Sequence, residues 1–224
     1  MDGCELAASW QPAAGVSGDC FDATRFHASR LGLSIADVVG KGIPAALLMS
    51  NLQAAVRAFA IDASQPAELC QQVNRILCGN IAEGRFISFF YCTLDTSLAV
   101  LTYSNAGHHP PILVHADGSV DRLRSGGPVM GIFDDATYEQ ERVAVTAGDR
   151  LILFTDGITE VRRAGSDEDG PEHIDFGEDR LIELAVEHRA GSAPALQARL
   201  GSAVSSFAGG EFQDDATLIV LAID

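Results

Sequence analysis

DVVGKGIPAALLMSNLQAAVRAFA, residues 37–60, runs from the end of a strand through a glycine turn into a long helix. Leu31 to Asp37 reads as a strand that stops on an acid. Gly40 and Gly42 allow the chain to turn sharply. Pro44 fits a helix's first turn, and apolar residues at 43, 47, 52, 56 and 59 recur at helical spacing. A strand delivering a carboxylate to its tip, followed by a helix packing back, predicts a mixed fold with chemistry at the strand ends.

Working outward, Cys20 to His27 pairs with Leu31 to Asp37 as a hairpin around residues 28–30, and Leu6 to Trp10 is a shorter strand. A second helix runs from Pro66 to Ile81, with Leu69, Val73, Ile76 and Leu77 on one face. Phe86 to Leu94 and Ala99 to Ser104 alternate and carry aromatic and β-branched residues, which makes them strands. Ala116-Asp117-Gly118-Ser119 predicts a hairpin between Ile112–His115 and Val120–Leu123. Ala147-Gly148-Asp149 predicts another between Glu141–Val145 and Arg150–Thr155. Residues 164–176 read as a flexible polar loop. Helices follow near 178–188 and 194–207, and Ala216 to Ile223 is a buried strand. No repeat or linker divides the 224 residues, so a single domain over 1–224 is expected, with sheet packed on sheet and helices outside.

Composition narrows the function. The formal charge is −16, from 15 basic and 31 acidic residues, and such a surface repels phosphate backbones. No nucleic-acid partner is expected, nor a two-metal nuclease or phosphodiesterase. No apolar stretch approaches twenty residues and no leader is evident, so no membrane partner is expected. Five cysteines without a C-x-x-C pair point to neither disulfides nor zinc, and to reduced thiols in a cytoplasmic protein. The chain is either a catalytic domain of something longer or a minimal stand-alone version.

Four segments place aspartate at a strand end or beside glycine: residues 17–22 (SGDCFD), 36–42 (ADVVGKG), 154–157 (FTDG) and 213–217 (QDDAT). Singly, each is most simply a turn. Together they set ionised carboxylates against buried apolar runs with few basic residues nearby, which is costly unless cations neutralise them. Oxygen-only donors suit Mg²⁺ or Mn²⁺. This many acids exceed the needs of one ion, and two ions about 3.5–4 Å apart could share an aspartate and activate a water against phosphorus. A phosphate-loop reading of Gly40-Lys41 fails, because Ile35 stands where that motif needs glycine and Gly42 where it needs serine or threonine.

In order and separation, SGDCFD (17–22), DVVGKGIPAALLM (37–49), SNAGHHPP (104–111), GDRLILFTDGITE (148–160) and DDATLIVL (214–221) resemble the metal-dependent protein phosphatases of the 2C type. The nearer likeness is to their bacterial branch of sporulation-protein-IIE-like and stress-response phosphatases, and it covers about residues 7–224. The resemblance implies an α+β fold, a four-layer α-β-β-α sandwich of two mainly antiparallel sheets flanked by helix pairs. It implies two Mn²⁺ or Mg²⁺ ions, with Asp37 bridging them, the Val38 carbonyl as a further ligand, Asp19 on one ion, and Asp156 and Asp214 on the other. Asp22 and Asp215 stand behind these, orienting waters or fixing loops. Gly40, Lys41 and Gly157 match the turns around the site, with Lys41 read as solvated. His108 matches a structural histidine, and His109 departs from the pattern. The animal branch has a histidine near where this chain has Val39, so a metal-bound water is the default proton donor to the leaving oxygen. Arg25, Arg85 and Arg162 are unranked candidates for a phosphate clamp.

The implied activity is hydrolysis of phosphoserine or phosphothreonine on a protein, with a small phosphorylated anti-sigma-factor antagonist as substrate in partner-switching control of transcription. The branch also implies regulation through the first helix, by an upstream sensor domain or a homodimer; a plain core helix is an equal alternative. The alternative from another class is a catalytically silent binding module.

Overall fold

The computed structural model describes residues 3–13, 17–60, 65–81, 84–164 and 174–224. The chain begins with β1 (Cys4–Gln11), β2 (Cys20–His27), β3 (Arg30–Val38), α1 (Ile43–Ala60) and α2 (Pro66–Cys78). Next come β4 (Ile87–Asp95), β5 (Val100–Ala106), β6 (Ile112–Val114), β7 (Val120–Arg122), β8 (Gly126–Gly127) and β9 (Glu141–Ala144). It continues through β10 (Arg150–Phe154), α3 (Asp156–Thr159), α4 (Glu178–Glu187), α5 (Ala193–Ala208) and β11 (Ala216–Ile223). Two mainly antiparallel sheets with helices result, as the sequence predicts.

The chain forms two compact units. The first comprises Val16–Pro110 and Leu123–Val145, with Met1–Gly3. Its strands run β2-β3-β4-β5-β8, with β9 paired to β5. All pairs are antiparallel except β5 with β8. Helices α1 and α2 pack on this sheet, and Leu52, Leu69, Val73, Leu77, Ile87 and Phe89 form the centre of their shared core.

The stripe that α1 buries is Ala45, Leu48, Leu52, Ala55, Val56 and Ala60. Ile43 and Leu47, assigned by spacing to the apolar face, are exposed instead. Three of these six are alanines, and with this stripe buried the two large residues of the first turns face outward. By length and composition α1 could cross a membrane, a test that the core helix of a folded domain also passes. Helix α2 stops at Cys78, short of Ile81, where the Asn80 and Ile81 amides both close back on the Leu77 carbonyl.

The second unit comprises Cys4–Gly15, Pro111–Arg122 and Thr146–Asp224. Its sheet runs β1-β11-β10-β6-β7, antiparallel throughout. Helices α4 and α5 contribute Leu181, Leu196, Leu200 and Val204 to a core with Ile152, Phe154, Leu218 and Val220. Ser192 caps α5 by accepting from the Ala195 amide. The hairpin at 116–119 forms as expected, joining β6 to β7.

The hairpin expected around Ala147-Gly148-Asp149 does not form. Strand β9 pairs with β5 in the first unit, whereas β10 pairs with β6 and β11 in the second. The turn itself is well made: Asp149 is buried and accepts from the Thr146 amide and hydroxyl and from the Ala116 amide. Turn chemistry fixes a local change of direction but not the partner strand. Every residue of β10 is buried and needs a central place, while β9 is largely exposed and suits an edge. Of the predicted loop at 164–176, residues 165–173 lie outside the described residues. Its flanks are tied, since Arg162 bridges to Asp175 and the Phe176 amide donates to the Val161 carbonyl.

Candidate functional site

In the first unit the acids arrive by strand pairing. Strands β2 and β3 are antiparallel, with Cys20 opposite Ala36. The residue before β2 and the end of β3 therefore share one edge, which puts Asp19 beside Asp37 and Val38. Asp19 is buried and Asp37 half-buried. The Ser17 hydroxyl accepts from the Asp19 amide at 3.0 Å. Gly18 makes the close approach possible, because a β-carbon there would lie 2.9 Å from the Val38 carbonyl oxygen. Burial pushes the Cys20 thiol up to about 12, and the charges of Asp19, Asp22 and Asp37 add to the effect. These three carboxylates thus act on one point.

Asp22 sits further along β2, and its carboxylate accepts from Arg57 Nε of α1 at 2.6 Å. It ties the strand to the helix. Gly40 and Gly42 both have positive φ, 105° and 76°, and Lys41 between them is exposed. His108 is buried in a tight turn. Its amide donates to Asn105 Oδ1 at 2.7 Å, and its Nδ1 lies 2.9 Å from the Ser88 hydroxyl. Asn105 completes the clamp by donating to the His108 and Leu123 carbonyls.

The second unit repeats the device with different connectivity. Strands β10 and β11 are antiparallel, with Phe154 opposite Leu218, so the residues after β10 and before β11 share an edge. Thr155 locks that edge. Its amide donates to the Thr217 carbonyl and its hydroxyl accepts from the Thr217 amide at 3.0 Å. Gly157 lies flat on the Asp215 backbone, where any β-carbon would overlap the Asp215 carbonyl. Asp215 is itself buried and accepts from the Ala13 amide at 2.8 Å.

Asp156 and Asp214 line one pocket of about 130 Å³, together with Gly157, Glu160, Val161, Arg162 and Gln213. Three carboxylates around so small a volume suit a hard cation with its waters. Glu160 and Gln213 are not among the residues singled out from the sequence. The signal for Glu160 was available: it stands four residues after Asp156, and the one-turn helix α3 stacks residues at that spacing on one side.

Residues 27–224 match the family of Stage II sporulation protein E (SpoIIE). The chain belongs to the SpoIIE family. Phosphoserine phosphatase RsbU of Bacillus subtilis (strain 168) is 31% identical over 218 residues, which is 97% of this chain and 62% of that protein. The crystal structure of the RsbU and RsbW domains of Rv1364c from Mycobacterium tuberculosis superimposes with a TM-score of 0.80 at 26% identity, covering 99% of this chain and 61% of that one. The SiaA-PP2C domain of Pseudomonas aeruginosa gives 0.85 at 19% identity over 98% of this chain and 86% of that one, a likeness of fold. The chain spans about three-fifths of the length of RsbU. The resemblance read from the five motifs is borne out at family level.

Proposed function

We propose that residues 1–224 form a single catalytic domain of a metal-dependent protein serine/threonine phosphatase. The observation that carries this reading is the pair of sheet edges, each bearing two acids at the meeting of antiparallel strands, in a SpoIIE-family chain similar to a phosphoserine phosphatase. Asp19, Asp37, the Val38 carbonyl, Asp156 and Asp214 would hold two Mn²⁺ or Mg²⁺ ions. Bound there, the ions would supply Lewis acidity that makes a water nucleophilic at neutral pH and offsets phosphoryl charge.

The reaction forms a phosphorus–oxygen bond to water and breaks the one to the serine or threonine oxygen, which departs with a proton. The chain's own part is positioning. Gly18 and Gly157 let the acid-bearing loops close on their neighbours, Thr155 fixes the β10–β11 edge, and Asn105 with His108 holds the turn after β5. No covalent nucleophile is needed. A silent binding module is disfavoured because every acid of the set is present.

The substrate is a phosphorylated protein, a small anti-sigma-factor antagonist by analogy with the RsbU-type relatives, acting in the cytoplasm, where the five free cysteines stay reduced. An upstream sensor or a second copy acting on α1 belongs to the same proposal. Ile43 and Leu47 are 68% and 63% exposed there and offer it a surface.

The test is Mn²⁺-dependent phosphate release from p-nitrophenyl phosphate and from a phosphoserine protein, with a chelator arm and Asp37→Asn. Turnover that needs the metal and disappears in the variant is the expected result. Turnover that survives both would remove the metal mechanism, and metal binding without turnover would leave the silent module.

A further inference from the structure

The acid pocket of the second unit contains one cation of its own, Arg162. Its backbone is held on two sides. Val161, just before it, is buried in the core of the unit, and Arg162 itself bridges to Asp175 while its amide reaches Gln213 Oε1 at 3.5 Å. Its guanidinium makes no hydrogen bond or ion pair with any described residue.

Among the described arginines of this unit that is unusual. Arg150 donates to the Asp149, Gly191 and Ile223 carbonyls. Arg180 donates to Asp175 and Phe176, Arg189 to Ala116 and Val186, and Arg199 to His188. Arg122 pairs with Glu178, and Arg163 lies over the Phe207 ring. Each is spent on holding the fold.

Three carboxylates line the same pocket as Arg162, yet it forms no ion pair within 4 Å with Asp156, Glu160 or Asp214. A counter-ion would close on them. A guanidinium held beside the acids and not bonded to them is placed to take a second anion once cations have neutralised those acids. Its planar fork matches two oxygens of a phosphate group. Arg25, by contrast, donates to the His27 and Ala28 carbonyls of its own turn. Arg85 lies just before β4 in the first unit, outside this pocket.

We propose that Arg162 binds the non-bridging phosphoryl oxygens of the phosphoprotein substrate, and so is a substrate-binding residue of the phosphatase reaction. This rests on the phosphatase reading above.

The experiment uses the whole chain with Mn²⁺ and compares wild type with Arg162→Gln and Arg162→Lys. Inhibition by inorganic phosphate, kcat and KM on a phosphoserine protein, and Mn²⁺ affinity by calorimetry are the readouts. Losing a charge-assisted fork contact should weaken phosphate inhibition and lower kcat/KM by on the order of 10–100-fold in Arg162→Gln. Arg162→Lys should recover part of the loss, and Mn²⁺ affinity should not change in either variant. Unchanged phosphate inhibition would overturn the proposal. So would a rise in Mn²⁺ affinity, which would mark Arg162 as an occupant of the metal site. If wild type shows no turnover, Mn²⁺-dependent binding of inorganic phosphate is measured directly. Its loss in Arg162→Gln still supports the anion site while the enzyme reading fails, and equal binding in both overturns the site as well.

Discussion

The two acid-bearing edges reach the same end by different routes. In the first unit Asp19 and Asp37 are joined by a hairpin, so β2 and β3 bring them together with no help from distant sequence. In the second, Asp156 follows β10 and Asp214 precedes β11, strands separated in sequence by α3, α4 and α5, and nothing local holds the two acids side by side. The first edge relies on one glycine against a carbonyl. The second adds Thr155, buried and bonded twice to Thr217, and a glycine in tighter contact. Where chain connectivity does not supply proximity, packing and hydrogen bonds must. The second edge should therefore be the more fragile.

The strongest test removes one acid from each edge. Asp37→Asn and Asp156→Asn should each lower kcat by on the order of 10²–10³-fold or more, read as phosphate release at saturating Mn²⁺. Comparable losses would mean that both edges serve one reaction, and a variant that kept full turnover would break the parallel.

Next come the glycines. Gly157→Ala forces a β-carbon into the Asp215 carbonyl and should cost about 3 kcal/mol in urea unfolding, whereas Gly18→Ala meets Val38 at 2.9 Å and should cost about 1 kcal/mol. Equal losses would show the two edges to be equally tolerant.

A third variant separates structural from functional acids. Asp149 is buried and accepts from two amides and a hydroxyl, so Asp149→Ala should destabilise by about 2–4 kcal/mol and leave Mn²⁺ affinity intact in the folded fraction.

The smallest effect is one of pH. The hydrogen bond from His115 to Asp121, with Asp149 adding charge, raises the His115 pKa above its ordinary 6.5, against a smaller opposing effect of burial. A pKa raised on folding contributes stability that is complete below 6.5 and disappears as pH rises through the folded value. His115→Gln should flatten this slight loss of stability on the alkaline side, and an unchanged pH profile would dismiss the interaction.

Much of this was legible in the chain itself. Strand β11 matches the Ala216–Ile223 run, because a continuous apolar stretch that follows two acids leaves little choice. Asp37 at a strand end followed from the Leu31–Asp37 run and the glycines after it. The partner of β9 was not legible, since Ala147-Gly148-Asp149 encodes a turn and says nothing of which sheet receives the strand beyond it. The exposure of Ile43 and Leu47 was missed because spacing alone cannot tell which of two apolar stripes a helix rich in alanine will bury. Glu160 and Arg162 escaped ranking for different reasons. Glu160 lies in the 148–160 stretch, four residues after Asp156, and was overlooked there, whereas the place of Arg162 depends on its β-bridge to Asp175, which has no motif of its own.

The position of β11 inside its sheet, between β1 and β10, bears on how the protein is made. Synthesis runs from the N-terminus at about 5–20 residues per second. Every strand of the first unit has left the ribosome once residue 145 is clear, and that sheet is free to assemble. β1 is translated before the other described strands, yet its pairing partner comes only with residues 216–223. For most of translation, then, β1 and β10 lack the strand that joins them. A nascent chain stalled before residue 216 should hold one finished half and one open to chaperones.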